Sequence, residues 1–96
     1  MEPMDTQLLK EMREVIGAYR SNTIDVGRLA DELLMLRDRL QFKDHSWSQE
    51  LTQQIATLDS ASTFAPKDDQ QTRQLSHAIR TAIDALLRLI EAKLEE

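Results

Sequence analysis

The stretch that decides the fold is residues 24–41, IDVGRLADELLMLRDRLQ. Aliphatic side chains recur in it at spacings of three, four, three and four residues. They are Val26, Leu29, Leu33, Leu36 and Leu40. At about 100° per residue, this spacing places all five on one side of an α-helix, as in the seam of a helical bundle or coiled coil. The stretch therefore predicts a helix that buries one aliphatic face.

The opposite side of the same helix has a different composition. It collects Asp31, Leu34, Met35 and Asp38. Two interpretations are open: Leu34 touches a second neighbouring helix of a bundle, or the four residues form a surface of aliphatic anchors flanked by carboxylates that binds a basic protein. These four residues are the principal candidates for partner binding.

The rest of the chain predicts a four-helix bundle. Apolar stripes at helical spacing predict helices at about 5–19, 46–59 and 70–95, in addition to 24–41. Only two glycines, two prolines and no sustained alternation occur, which argues against a β fold. We therefore predict an all-α, single-domain four-helix bundle over residues 1–96.

Local signals mark the helix ends. Ser21-Asn22 is expected to end the first helix, because Asn tolerates the left-handed conformation found there. Ser46 and Gln49 have the spacing of a capping box at the start of the third helix. Residues 60–70 form the one clear loop, and Asp68 or Asp69 is placed to cap the fourth helix.

Composition narrows the possible functions. The chain has no cysteine, no Gly-rich phosphate-binding loop, and two histidines that are not spaced to share a metal on one helix. No apolar run approaches the ~18 residues of a membrane span, and the first ten residues lack the pattern of a signal peptide. We therefore expect no metal, no cofactor, no catalytic residues and no membrane insertion, and a cytoplasmic location.

The charge balance favours a basic protein partner. Lys and Arg total 12 against 17 Asp and Glu, a formal net charge of −5. Such a chain repels nucleic acid and anionic membranes, so direct binding to either is not expected. It attracts a basic protein surface. Asp44 and Asp59 are weaker acidic candidates for that contact.

Two segments carry a family resemblance: residues 18–40, AYRSNTIDVGRLADELLMLRDRL, and 44–65, DHSWSQELTQQIATLDSASTFA. An Ile enters a Leu-rich second helix, a Trp opens the third, and Leu58-Asp59 closes it. In these features residues 8–65 resemble small helical immunity proteins that protect bacteria from contact-dependent inhibition toxins and colicin-like tRNA-cleaving toxins. Ser21-Asn22 and Ile55 depart from the glycine and aromatic residue expected there, so the resemblance does not identify the toxin type.

The resemblance implies a protein that acts by covering a toxin's active site or a nearby surface. The acidic charge points independently to a nuclease, since a nuclease must present a basic substrate site. The expected partner is therefore a cognate basic toxin domain. The alternative is a structural or regulatory module that homodimerises through its leucine seams.

Overall fold

The computed structural model describes residues 4–41 and 44–95, which form four α-helices and, within those ranges, no strand. The helices are α1 (Met4–Arg20), α2 (Val26–Arg39), α3 (His45–Thr63) and α4 (Asp69–Leu94). The prediction of an all-α four-helix bundle is confirmed.

Aspartates cap three of the helices. Asp25, Asp44 and Asp68 are the N-caps of α2, α3 and α4, and each accepts a hydrogen bond from the backbone N–H three residues on. The predicted capping box at Ser46 is therefore wrong, because the N-cap of α3 lies two residues earlier, at Asp44. Asp68 is one of the two residues predicted to cap α4.

The other helix ends are set by backbone conformation. Asn22 has φ 62°, as predicted for the residue that ends α1. Leu40 is extended, so α2 ends at Arg39 rather than near Gln41. α3 continues to Thr63, four residues beyond the predicted end, and stops where Phe64 becomes extended just before Pro66.

The helices pack in a ring in which α1 contacts α2 and α4, and α3 contacts α2 and α4. Hydrogen bonds between their ends indicate antiparallel neighbours. Asp5 in the first turn of α1 accepts from the backbone N–H of Gln41 at 2.9 Å. The indole Nε1 of Trp47, at the start of α3, donates to the carbonyl of Leu89 near the end of α4, also at 2.9 Å. The chain is therefore an up-down-up-down bundle.

The predicted seam of α2 is used inside this single chain. Leu29 and Leu33 are completely buried, and Val26, Leu36 and Leu40 are half-buried against the core. The rest of the core is also largely aliphatic, with Trp47 as its aromatic member. The central leucines of the seam are thus unavailable to a second copy of the chain.

The first turns of α4 lie beyond the shared core. Tyr19 and Arg20, at the end of α1, line the same cleft as Ser76 and Arg80 of α4. The preceding turns of α4 therefore extend past the end of α1. No side chain between positions 69 and 81 is fully buried, and the first buried residue of α4 is Ala82.

We predict that Leu33→Ala lowers the free energy of unfolding by about 2–5 kcal/mol, because Leu33 is completely buried and its truncation leaves a cavity in the core. Met35→Ala, in the same helix but 65% exposed, should change it by less than about 0.5 kcal/mol. Urea denaturation followed by circular dichroism measures both. Equal losses in the two variants would contradict the observed orientation of α2.

Candidate functional site

The outward surface of α2 is centred on Met35. This side chain is 65% exposed and is one of three large exposed hydrophobic side chains among the described residues, with Met4 and Phe64. Asp31 precedes it by one helical turn and is also exposed. Both residues line one concavity, so the structure brings these two predicted site residues together. Met35 and Asp31 therefore form one exposed patch that is apolar at its centre and acidic at its edge.

Leu34 does not belong to that exposed surface. It is half-buried and packs against the core. One residue along a helix is a rotation of about 100°, which carries Leu34 from the outward direction of Met35 to the side of α2. Of the two interpretations open for this residue, packing against the bundle is the one that the structure supports.

An acidic groove lies between α1 and α2. It has a volume of about 430 Å³ and is lined by Glu11, Glu14, Val15, Ala18, Glu32, Met35, Leu36 and Arg39. Val15 and Leu36 pack against the core and form its apolar floor. Three glutamates against one arginine give the lining a negative charge. The acidic groove therefore combines apolar surface with carboxylates that attract a cation.

A second concavity continues from Met35 towards the start of α2. Its lining includes Asp25, Arg28, Asp31 and Glu32. Asp25 is occupied as the helix cap, and Glu32 lies 3.4 Å from the guanidinium Nε of Arg28 in an exposed ion pair. Asp31 makes none of the hydrogen bonds or ion pairs found among the described residues. Its carboxylate is therefore available to a partner.

Asp38 already has a neighbour within the chain. Its carboxylate Oδ1 lies 2.6 Å from the guanidinium of Arg37, which also donates to the hydroxyl of Thr52 in α3 at 3.1 Å. Asp38 remains 67% exposed. Its charge is partly neutralised by Arg37, however, so we rank it below Asp31 as a partner contact.

Asp44 performs a structural task at the start of α3. Oδ1 accepts from the backbone N–H of Trp47 at 3.0 Å, and Oδ2 accepts from Lys93 Nζ at 2.8 Å. The Lys93 hydrogen bond first, and the Trp47 N–H second, hold the pKa of Asp44 below the ordinary value of 3.8. This carboxylate joins the first turn of α3 to the last turn of α4.

Asp59 lies on the exposed side of α3. It lines neither of the two concavities beside Met35, and neither does Asp44. The structure therefore separates the six predicted site residues. Met35 lines both concavities, and Asp31 lines the second one. The other four residues line neither: Leu34, Asp38, Asp44 and Asp59.

The residues that α1 contributes to the acidic groove were not predicted from the sequence. Glu11 and Glu14 lie outside the buried stripe of α1, which marks them only as surface residues. Nothing in that spacing says which helix stands beside them. Their approach to Glu32 and Met35 follows from the packing of α1 on α2, a tertiary contact.

Residues 4–41 and 44–95 contain neither a candidate metal site nor a candidate membrane-spanning helix. No three His, Cys, Asp or Glu side chains in these ranges lie close enough to hold a metal ion together. No helix within the same ranges combines the length and apolar character needed to cross a membrane.

Comparisons with models of protein families, with curated proteins and with solved structures find nothing that matches this chain.

We predict that the Asp44–Lys93 pair makes stability depend on pH. Because the folded pKa of Asp44 is lowered, its contribution is complete above 3.8 and is lost as the pH falls through the folded pKa. Asp44→Asn keeps a capping oxygen but removes the charge. The difference in unfolding free energy between wild type and this variant should therefore be largest at neutral pH and vanish in acid, as measured by urea denaturation across that range.

Asp59→Asn is the matched control, because the Asp59 side chain accepts no hydrogen bond among the described residues. We expect it to stay close to wild type at every pH. A deficit in Asp44→Asn that is the same in acid as at neutral pH would show that the ion pair with Lys93 contributes nothing.

Proposed function

We propose that this chain is an immunity protein that binds a cognate toxin domain and neutralises it in the cytoplasm. The toxin domain is a nuclease, and the chain acts by covering its active site or a nearby basic surface, without catalysis of its own. The observation that carries the proposal is the exposed Met35, which stands between Asp31 and the glutamates of the acidic groove.

The electrostatic part of the argument follows from the substrate of a nuclease. A site that binds phosphodiesters must be positively charged, and a surface lined by carboxylates is complementary to it. Glu11, Glu14 and Glu32 line the acidic groove with Arg39 as the single cation. Such complementarity mainly raises the association rate and excludes partners of the wrong charge.

The apolar side chains of the acidic groove can contribute binding free energy when a partner buries them. Met35 is a flexible, polarisable side chain of the kind that adapts to an irregular partner surface. Val15 and Leu36 form the groove floor, on which the methylene stem of a partner's Lys or Arg can lie. Its charged end then reaches the glutamates at the rim. The partner that fits best therefore presents a basic side chain beside an apolar pocket.

The family resemblance suggests the biological class of the protein. Residues 18–40 and 44–65 resemble helical immunity proteins, and immunity is the role in which an acidic binding surface is paired with a nuclease. Half of the lining of the acidic groove comes from α1, from residues that the features carrying the resemblance do not include, except for Ala18.

The direct test uses the genes beside this one. We expect the reading frame immediately upstream to encode a large exported protein whose C-terminal domain is toxic when expressed in the cytoplasm. Coexpression of this chain should restore growth, and the two purified proteins should form a complex in size-exclusion chromatography. Unchanged killing by that domain together with no complex would contradict the proposal.

Charge reversal tests the location of the interface. Glu14→Lys with Asp31→Lys changes two exposed carboxylates, one in each of the two concavities that Met35 lines. We expect the rate of association with the toxin domain to fall about tenfold or more at low salt, and the deficit to shrink as salt screens the charges. Stopped-flow or surface plasmon resonance measures the rate. Asp38 is not changed, because it pairs with Arg37 and Arg37 also donates a hydrogen bond to Thr52 of α3. A substitution there would disturb a contact between two helices as well as the surface charge.

The control for charge reversal is Asp84→Lys with Glu91→Lys. It makes the same change in net charge at two exposed positions of α4, away from the acidic groove. Circular dichroism should show wild-type helicity and melting in both double variants. If the two variants slow association equally, the effect belongs to net charge, and the acidic groove is not the interface.

A further inference from the structure

A cleft between the end of α1 and the side of α4, here called the basic cleft, carries positive charge on an acidic protein. It has a volume of about 520 Å³ and is lined by Tyr19, Arg20, Ser76, Ile79, Arg80, Ile83 and Asp84. Two arginines against one aspartate give this lining a positive charge, although the whole chain has a formal net charge of −5. The acidic groove is negative, and the groove between α3 and α4 is lined by uncharged residues alone.

The basic cleft exists because α1 ends where α4 continues. α1 stops at Arg20, and the chain turns away towards α2 through Asn22, which has φ 62°. The turns of α4 beside this point extend past α1, which leaves a step in the surface. Ile83 is buried and Ile79 is half-buried, so they form an apolar floor to the step, while Arg80 remains exposed.

The two guanidinium groups of the basic cleft have no partner among the described residues. Neither Arg20 nor Arg80 makes a hydrogen bond or an ion pair there, whereas Arg28 and Arg37 each pair with a carboxylate of α2. Arg20 is not used to cap α1 either, because the backbone N–H groups of residues 21–23 already bond to carbonyls of the last turn. Both side chains can therefore donate to an anion that enters the cleft.

We propose that the basic cleft binds a small phosphomonoester that carries an aromatic or apolar body, with its phosphate group between Arg20 and Arg80. Near neutral pH such a group has a charge of about −2 and three strong acceptor oxygens. The planar fork of a guanidinium matches two of those oxygens, and two guanidinium groups match the double charge. Ser76 adds a hydroxyl donor to the same lining.

The size and floor of the basic cleft call for more than a bare phosphate ion. Sites for small organic ligands have volumes of roughly 300–1,000 Å³, and the basic cleft falls within that range. Ile79, Ile83 and the ring of Tyr19 give its lining apolar surface that a phosphate group leaves uncovered. A ring attached to the phosphate would bury that surface and gain free energy by doing so.

The acidity of the whole chain does not prevent this binding. At physiological ionic strength charges are screened over about 8 Å, so a small ligand responds mainly to the residues that line the cleft. A nucleic acid or an anionic membrane extends far beyond the cleft and meets the acidic surface around it. Asp84 is the one acidic residue of the lining, and it repels the phosphate. The basic cleft therefore selects a small phosphate compound over a phosphate polymer.

Titration of the ¹⁵N-labelled full chain with phenyl phosphate, followed by NMR, tests the proposal. We expect saturable shifts of backbone amides in the last turn of α1 and in residues 76–84. Inorganic phosphate lacks the ring, and benzoate carries a single negative charge. Each should bind about fivefold or more weakly than phenyl phosphate, because each loses one of the two kinds of contact. Phenol, which has the ring without the phosphate, should cause no saturable shift.

Four substitutions identify the residues that hold the phosphate. Arg20→Gln and Arg80→Gln should each raise the dissociation constant of phenyl phosphate about tenfold, because each removes a charged hydrogen-bond donor. Asp84→Asn should lower it about threefold, since a repelling charge disappears. Arg73→Gln is the matched control: Arg73 is exposed on α4 and carries the same charge as Arg80, but it does not line the cleft. This variant should bind like wild type.

No saturable shift with millimolar phenyl phosphate would overturn the proposal. So would phenol, benzoate or inorganic phosphate that binds as tightly, because the ligand would then need no phosphate or no ring. Equal losses in Arg73→Gln and Arg80→Gln would show attraction to net charge rather than a site. Circular dichroism establishes that each variant is folded. The basic cleft shares no residue with the acidic groove, so these results are independent of the proposed function.

Discussion

The structure depends on the burial of aliphatic side chains at the centre of the bundle, where all four helices meet. Leu29 and Leu33 of α2, Ile55 of α3 and Leu86 of α4 are completely buried there. Among the described residues no polar or charged side chain is buried with them. Apolar packing alone is not directional, so it stabilises the bundle without dictating how the helices are aligned.

Alignment comes from polar contacts at the margin of that core. Asp44 caps α3 and accepts a hydrogen bond from Lys93 of α4. The indole N–H of Trp47 donates to the carbonyl of Leu89, also in α4. Arg37 joins α2 to Thr52 of α3. These contacts are directional, and they connect helix pairs whose apolar faces would tolerate some sliding. They also explain why two of the acidic residues considered for partner binding, Asp38 and Asp44, have partners within the chain.

With the helices aligned in this way, the surface carries two grooves that differ in the charge of their lining residues. The acidic groove between α1 and α2 is lined by charged side chains, so the proposed binding of a basic partner there should weaken in high salt. The groove between α3 and α4 is lined by uncharged side chains, both apolar and polar. The two concavities share no lining residue, so a change to one leaves the other intact.

The sequence by itself determined the four helices, the aliphatic core and the outward position of Asp31 and Met35. These follow from the spacing of apolar residues along single helices, and that spacing is a local property. Only the tertiary structure decided that Leu34 packs against the edge of the core, that Asp44 bonds to Lys93, and that Glu11 and Glu14 lie beside Met35. Those facts depend on which helix faces join, and residues far apart in the chain determine that together. The α3–α4 groove is of the same kind: Ala56 and Leu75 look like ordinary helix positions until the packing of α3 on α4 places them in one groove.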